Sequence, residues 1–346
     1  MATLMTTGFL ATISKGSAVT AGYYEDKYIN ELIDPTKRSK RNPLVNRMYY
    51  ARVWIMRFVI KNFFESLNGV DVQIVNLGGG FDTLYYYIRD NFDKFVYFDI
   101  DFPEQLVAKS HIILNNDKLS IKNSYIKDYS EKLIESDNFK MIPVNLKDIK
   151  QLEGQLMLSG FDREKPTLFI SECVLCYLEP NDADRVIKFC NEFTTNTSCI
   201  VVFEQIEPND PFGQKLVESF QKWGCPVYID KYPTINHHKK RYFDLGWNNH
   251  LIYCFRDVYE YIIDTDDKRR IEKIEIFDEL EEWCLAIAHY IFSFAYKESS
   301  YKLETLVKSL KFERKSCVGF TTEEIRKLIA EKKIHSQLGS QAFIID

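Results

Sequence analysis

The first long regular pattern covers 45–67, where Val45, Met48, Tyr49, Val53, Met56, Val59, Ile60 and Phe63 recur at steps of one, three and four residues. That period puts them on one face of an amphipathic helix. The pattern then shortens. Ile74, Val75 and Leu77 form an apolar run that stops at Gly78, Gly79 and Gly80, and a helical pattern resumes with Leu84, Tyr85 and Ile88 on one face. Further on the two periods alternate. Helices are expected over 82–91, 104–114, 146–159 and 212–223, and strands over 95–100, 141–144, 167–171 and 199–203. Strands separated by helical stretches predict an α/β fold with a largely parallel sheet covered on both faces. Residues 1–13 read as loose, and 35–43 as a basic connector flanked by prolines. Residues 115–140 read as an irregular polar insertion. An amphipathic helix is expected from about 277 through His289 to about 296, and a last one over 321–332.

The strand, glycine turn and helix at 73–88 is the layout that brings a backbone close to a nucleotide-like ligand. An ordinary turn would look the same, so a second feature matters. The next apolar run, 95–98, ends in Asp99-Ile100-Asp101. An acid at that strand end accepts hydrogen bonds from both hydroxyls of a ribose. The turn itself continues Phe81-Asp82-Thr83, which lacks the third glycine of a dinucleotide site and adds negative charge. That suits a ligand without phosphates, such as S-adenosylmethionine with its sulfonium and ammonium. Glu172 closes the expected strand 167–171, at the end where open α/β sheets bind ligands, and Tyr177 follows on the exit loop. Glu172 faces either solvent or the cationic arm of the cofactor. Arg47 and Arg52 lie on the long helix, either as ordinary helix-face cations or as a planar clamp on a carboxylate.

Composition narrows the picture. A chain of 346 residues, 45% hydrophobic, can bury a large core. Its net charge of −5 gives no electrostatic footprint for nucleic acid. Eight cysteines are scattered, mostly in apolar runs, and read as free buried thiols of a reducing compartment. Cys173 and Cys176 lack the second ligand pair of a metal site, and His237-His238 reads as a surface pair, so no metal is expected. His289 reads as a satisfied core or rim histidine. No apolar run reaches membrane-spanning length, and 1–13 has no basic leader. A cytoplasmic protein without membrane contact is expected.

These motifs resemble one family, the leucine carboxyl methyltransferases, in the family's order over roughly residues 14–296. They are Ser14-Lys15 with Gly22-Tyr23, Asn46-Arg47 with Tyr49 and Ala51-Arg52, and Asn76 through Asp82. Asp99 through Pro103, Pro166-Thr167 through Tyr177, Glu204-Gln205 with Phe212-Gly213-Gln214, and Phe277 through Glu281 with His289-Tyr290 complete the series. The resemblance implies a class I S-adenosylmethionine-dependent methyltransferase, Rossmann-like, with an N-terminal helical lid (1–70), the catalytic domain (71–296) and a C-terminal addition (297–346). It implies cofactor contacts at Lys15, Arg52, Gly78, Asp101, Leu146 and Glu172. Asn145 stands where relatives often have Asp, and Asn still hydrogen-bonds an adenine. Arg52 and Tyr177 are expected on the acceptor side, with Arg47 as a neighbour. The family has two branches. One methylates the C-terminal leucine carboxylate of the protein phosphatase 2A catalytic subunit; the other modifies tRNA-Phe in wybutosine synthesis and usually carries a Kelch propeller. Ser14-Lys15 with Ser17, Gly80-Phe81-Asp82 with Leu84-Tyr85, and Phe277 through Trp283 look like the tRNA branch. The chain length, the acidic balance and the lack of Kelch repeats favour the phosphatase branch, and a monomer is expected.

Overall fold

The computed structural model describes residues 2–128 and 133–313. The chain opens with α1 (Ala2–Ala21) and α2 (Pro43–Leu67). Alternation follows with β1 (Val72–Leu77), α3 (Leu84–Asn91), β2 (Phe95–Asp101) and α4 (Pro103–Leu114). Next come β3 (Tyr125–Asp128), β4 (Leu133–Glu135), β5 (Phe139–Pro143), α5 (Ile149–Leu158), β6 (Thr167–Glu172), α6 (Pro180–Glu192) and β7 (Ser198–Gln205). The C-terminal part holds α7 (Pro211–Lys222), α8 (Ile235–Asp244), β8 (Asn249–Cys254), α9 (Phe255–Tyr261), α10 (Thr265–Ile271), α11 (Leu280–Ala288), β9 (Tyr290–Lys297) and α12 (Glu304–Ser309).

The nine strands form one sheet in the order β3-β4-β5-β2-β1-β6-β7-β9-β8. The five central strands from β5 to β7 are parallel, and both edges are antiparallel. Buried strands need their polar side chains paired. In β1 all six residues are buried; Gln73 exchanges hydrogen bonds with Asp162 at 2.8 Å and Asn76 donates to Tyr97 Oη at 2.8 Å. Two apolar clusters lie on the two faces, one holding Ile74 and Tyr97 with α2, the other Val75 and Phe98 with α5 and α6. α2 starts cleanly because Asn42 accepts from Val45 N at 2.9 Å and Pro43 occupies its first position. It stops at Asn68, which takes the left-handed conformation at φ 40°.

The strands run in register, so Leu77 pairs with Ile100 and Glu172 with Phe203. Their carboxyl ends therefore share one edge. β2 lies on one side of β1 and β6 on the other, which opens a crevice at that edge between the two directions of winding.

Several expectations change here. Of the stretch 1–13 expected to be loose, the described residues 2–13 belong to α1. Residues 115–140 are not irregular throughout; they hold β3 and β4, which extend the sheet antiparallel from β5. The helix expected to reach residue 296 ends at Ala288, and Tyr290–Lys297 is a strand between β7 and β8. Its run of Ile291, Phe292, Phe294 and Tyr296 is short, aromatic and β-branched, a pattern that periodicity alone does not separate from a buried helix. His238 is buried rather than on the surface, with Nδ1 3.6 Å from Glu204 Oε1. Burial, then the neighbouring Arg241 cation, pushes its pKa down to about 3, so it is neutral. The helix expected over 321–332 and Cys317 lie outside the described residues. Six of the described cysteines are buried, Cys284 is half-buried, and all seven are free.

Candidate active site

The crevice is a cavity open to solvent. Its floor is the glycine turn. Gly78 and Gly80 take φ +73° and +48°, in the left-handed region that a side chain disfavours. At Gly79 an added Cβ would stand 2.0 Å from Asp99 Oδ1, and at Gly78 2.6 Å from a Val174 methyl. Only bare backbone fits between the sheet and the cavity.

Asp101 closes β2 beside this turn. It accepts from Gly80 N and from Phe102 N, both at 2.7 Å. Burial raises its pKa to about 6, and those two backbone donors hold it from rising further. Two residues earlier, Asp99 is fully buried and paired with Lys109 at 2.6 Å, behind the turn rather than in the cavity.

The opposite wall carries an ion cluster. Lys15, from α1, places Nζ 2.6 Å from Asp82 and 3.1 Å from Glu172. Arg52, from α2, places Nε and Nη2 each 2.9 Å from Glu172 Oε1. Burial alone would lower the Lys15 ammonium, but Asp82 and Glu172 outweigh it and raise its pKa. Burial likewise works against the Asp82 carboxylate, yet Lys15 holds it below its usual range. Arg52 is 2% exposed and lies over the rings of Tyr49 at 4.7 Å and Phe203 at 5.1 Å. Its Nη1 is buried with no hydrogen-bond partner among the described residues. An unmet charged donor on a cavity wall is costly unless a ligand answers it.

Of the residues singled out from the sequence for cofactor or acceptor, Lys15, Arg52, Gly78, Asp101, Asn145, Leu146, Glu172 and Tyr177 line this one cavity. Arg47 does not. It turns to the far side of α2 and lies over Phe277 at 3.8 Å. Sequence reasoning missed Thr7, Gly8, Ala11 and Thr12, which line the cavity from α1, and Gln105 from α4. It also missed Asp82 as the partner of Lys15. A signal was present: Phe9, Leu10 and Ile13 recur at helical spacing before Lys15. His289 sits away from the cavity, fully buried, with Nδ1 2.8 Å from Leu285 O and Nε2 2.9 Å from Asp210. Among the described residues no cluster of His, Cys, Asp and Glu could hold a metal ion.

A parallel α/β sheet with this crevice over β1, β2 and β6 defines the class: the S-adenosylmethionine-dependent methyltransferase fold. The crystal structure of a methyltransferase-like protein from Thermobifida fusca superposes with a TM-score of 0.54 at 12% identity, covering 84% of this chain and 94% of that one. The family model for leucine carboxyl methyltransferase matches residues 9–191. The leucine carboxyl methyltransferase 1 homolog of Arabidopsis thaliana is 34% identical over 295 residues, 84% of this chain and 87% of that protein. The human tRNA wybutosine-synthesizing protein 4 is 29% identical over 290 residues, 81% of this chain but 42% of that protein. The chain belongs to the leucine carboxyl methyltransferase family. It is an S-adenosylmethionine-dependent carboxyl methyltransferase.

The cavity suits that cofactor chemically. A bare glycine backbone allows close approach, the Asp101 carboxylate lines the cavity at the end of β2, and Arg52 brings a buried guanidinium with one donor unpartnered among the described residues. Lys15, Asp82 and Glu172 supply both signs of charge for a zwitterionic amino-acid arm.

Proposed function

We propose that the protein methylates the C-terminal leucine carboxylate of the protein phosphatase 2A catalytic subunit. The observation that carries the reading is the buried Arg52 guanidinium, one donor of it unpartnered among the described residues, on the wall of the cavity that Tyr177 also lines. Relatives named for leucine carboxyl methylation, 34 and 32% identical over 87 and 91% of their own lengths, support the choice of acceptor.

When bound, S-adenosylmethionine supplies a methyl group on a sulfonium. The residues of this chain do the rest by positioning. Lys15 and Arg52 would hold its methionine carboxylate, Glu172 would face its ammonium and sulfonium end, and Asp101 would accept from its ribose hydroxyls. Gly78 lets the backbone approach, and Asn145 with Leu146 borders the adenine. Arg52 also draws in the acceptor carboxylate, and Tyr177 lines its path. A carboxylate is ionised at neutral pH, so no general base is required. The work left is to aim its oxygen in line with the methyl and to exclude water. α1 and α2 act as the lid that does this.

Mass spectrometry of the phosphatase after reaction tests the reading. It is expected to find one methyl ester on the terminal leucine; a methyl group on any internal residue would refute it. A second reading is transfer to tRNA-Phe, favoured by 29% identity to the human wybutosine-synthesizing protein.

A further inference from the structure

The connector between α1 and α2 carries charge that the cofactor cavity does not use. Lys37, Arg38, Lys40 and Arg41 put four cations within five residues of a chain whose net charge is −5. Residues 34–40 are exposed, and Arg41 is half-buried. The acid in this stretch, Asp34, is engaged by the backbone N–H of Thr36 at 2.9 Å.

Two of these cations, Arg38 and Lys40, border a second, open cleft, with Lys37 and Arg41 beside them in the chain. Gly16, Ser17 and Thr20 of α1 form one wall, and Arg38 and Lys40 another. Glu275 closes it and stands 3.4 Å from Lys40, a side chain 80% exposed, so this pair is weak. α1 is a shared partition: Thr12 and Lys15 face the cofactor cavity while Ser17 and Thr20 face the cleft. The run also packs toward the cavity wall through two aromatic rings. Lys37 Nζ lies 5.2 Å above the Phe9 ring, Phe9 packs edge-on against Phe81 at 5.9 Å, and Phe81 lines the cofactor cavity.

We propose that this cleft docks an acidic segment of the acceptor protein, upstream of the carboxylate that receives the methyl. The inference rests on the protein-acceptor reading above and adds what the acceptor must carry. A positive strip on an acidic molecule draws a negative segment to one place and orients it. Here that place adjoins α1, the helix whose other side lines the cofactor cavity.

The test measures methyl transfer to the phosphatase 2A catalytic subunit by wild type and by Lys37→Glu/Lys40→Glu. The acceptor KM is expected to rise roughly tenfold in the variant, with its dependence on salt flattened. The dissociation constant for S-adenosylmethionine should not move. Lys37→Gln/Lys40→Gln should fall between the two; both positions are exposed, so the fold should tolerate the changes. An acceptor KM equal to wild type, with transfer intact, would overturn the docking cleft and leave the protein-acceptor reading standing. Wild-type transfer to tRNA-Phe alone would overturn both.

Discussion

Arg52→Met is the sharpest single perturbation of this site. Methionine keeps much of the side-chain volume, so the substitution removes charge and donors more than packing. Arg52 is 2% exposed, and the Glu172 carboxylate it holds is 14% exposed. Breaking a buried pair from one side costs about 3–5 kcal/mol, because the remaining charge is stranded. Glu172 keeps Lys15 at 3.1 Å, which places the expected loss at the low end, about 3 kcal/mol. Transfer should suffer separately. A charged donor aimed at reacting groups in a water-excluded site is worth about 10²–10³ in rate. The assay pairs a thermal melt with methyl transfer at saturating S-adenosylmethionine. A variant that still melts cooperatively, binds the cofactor weakly and has lost about 10² or more in kcat/KM fits the reasoning. A variant with acceptor kcat/KM within about threefold of wild type would remove Arg52 from the acceptor role, and an unchanged affinity for S-adenosylmethionine would remove it from the cofactor role.

Other expectations follow from the same geometry. Asp101 needs its charge to accept from ribose, and its pKa is raised to about 6, so cofactor affinity should weaken as pH falls through about 6. In the unliganded fold the sign is opposite. The folded state holds the extra proton between the ordinary value of 3.8 and about 6, so the cost of burying this carboxylate is relieved as pH falls across that window. Asp101→Asn should weaken binding and flatten its pH profile, measured by calorimetry; an unchanged profile would assign the titration elsewhere. Gly79→Ala should abolish cofactor binding and lower the melting temperature, since its Cβ would meet Asp99 at 2.0 Å. Normal binding by that variant would show that the turn has room the structure does not show.

Much of the site was legible because its chemistry is local in sequence. Gly78 to Gly80, Asp101 and Glu172 each stand at a strand end, and strand ends are marked by an apolar run that stops. Lys15 came from the family motifs alone, whereas Arg52 stood out on the long periodic helix and the motifs added its cofactor role. α1 was missed because its threonines and glycines have low helix propensity. Its helical form is supported by packing against α2 and over the cavity. β9 was misread for the converse reason: eight residues of apolar and aromatic sequence fit either element, and the choice is made by pairing with β7 and β8. His238 looked like part of a surface pair, and only the fold brings Glu204 and Arg241 to it.

The decisive measurement offers wild-type protein and radiolabelled S-adenosylmethionine the phosphatase 2A catalytic subunit, the same subunit lacking its terminal leucine, and tRNA-Phe bearing the unmethylated wybutosine precursor, side by side. Base-labile label is predicted on the intact phosphatase and on neither of the others. Label on the tRNA with none on the phosphatase would contradict the proposed acceptor while leaving the cofactor site as described.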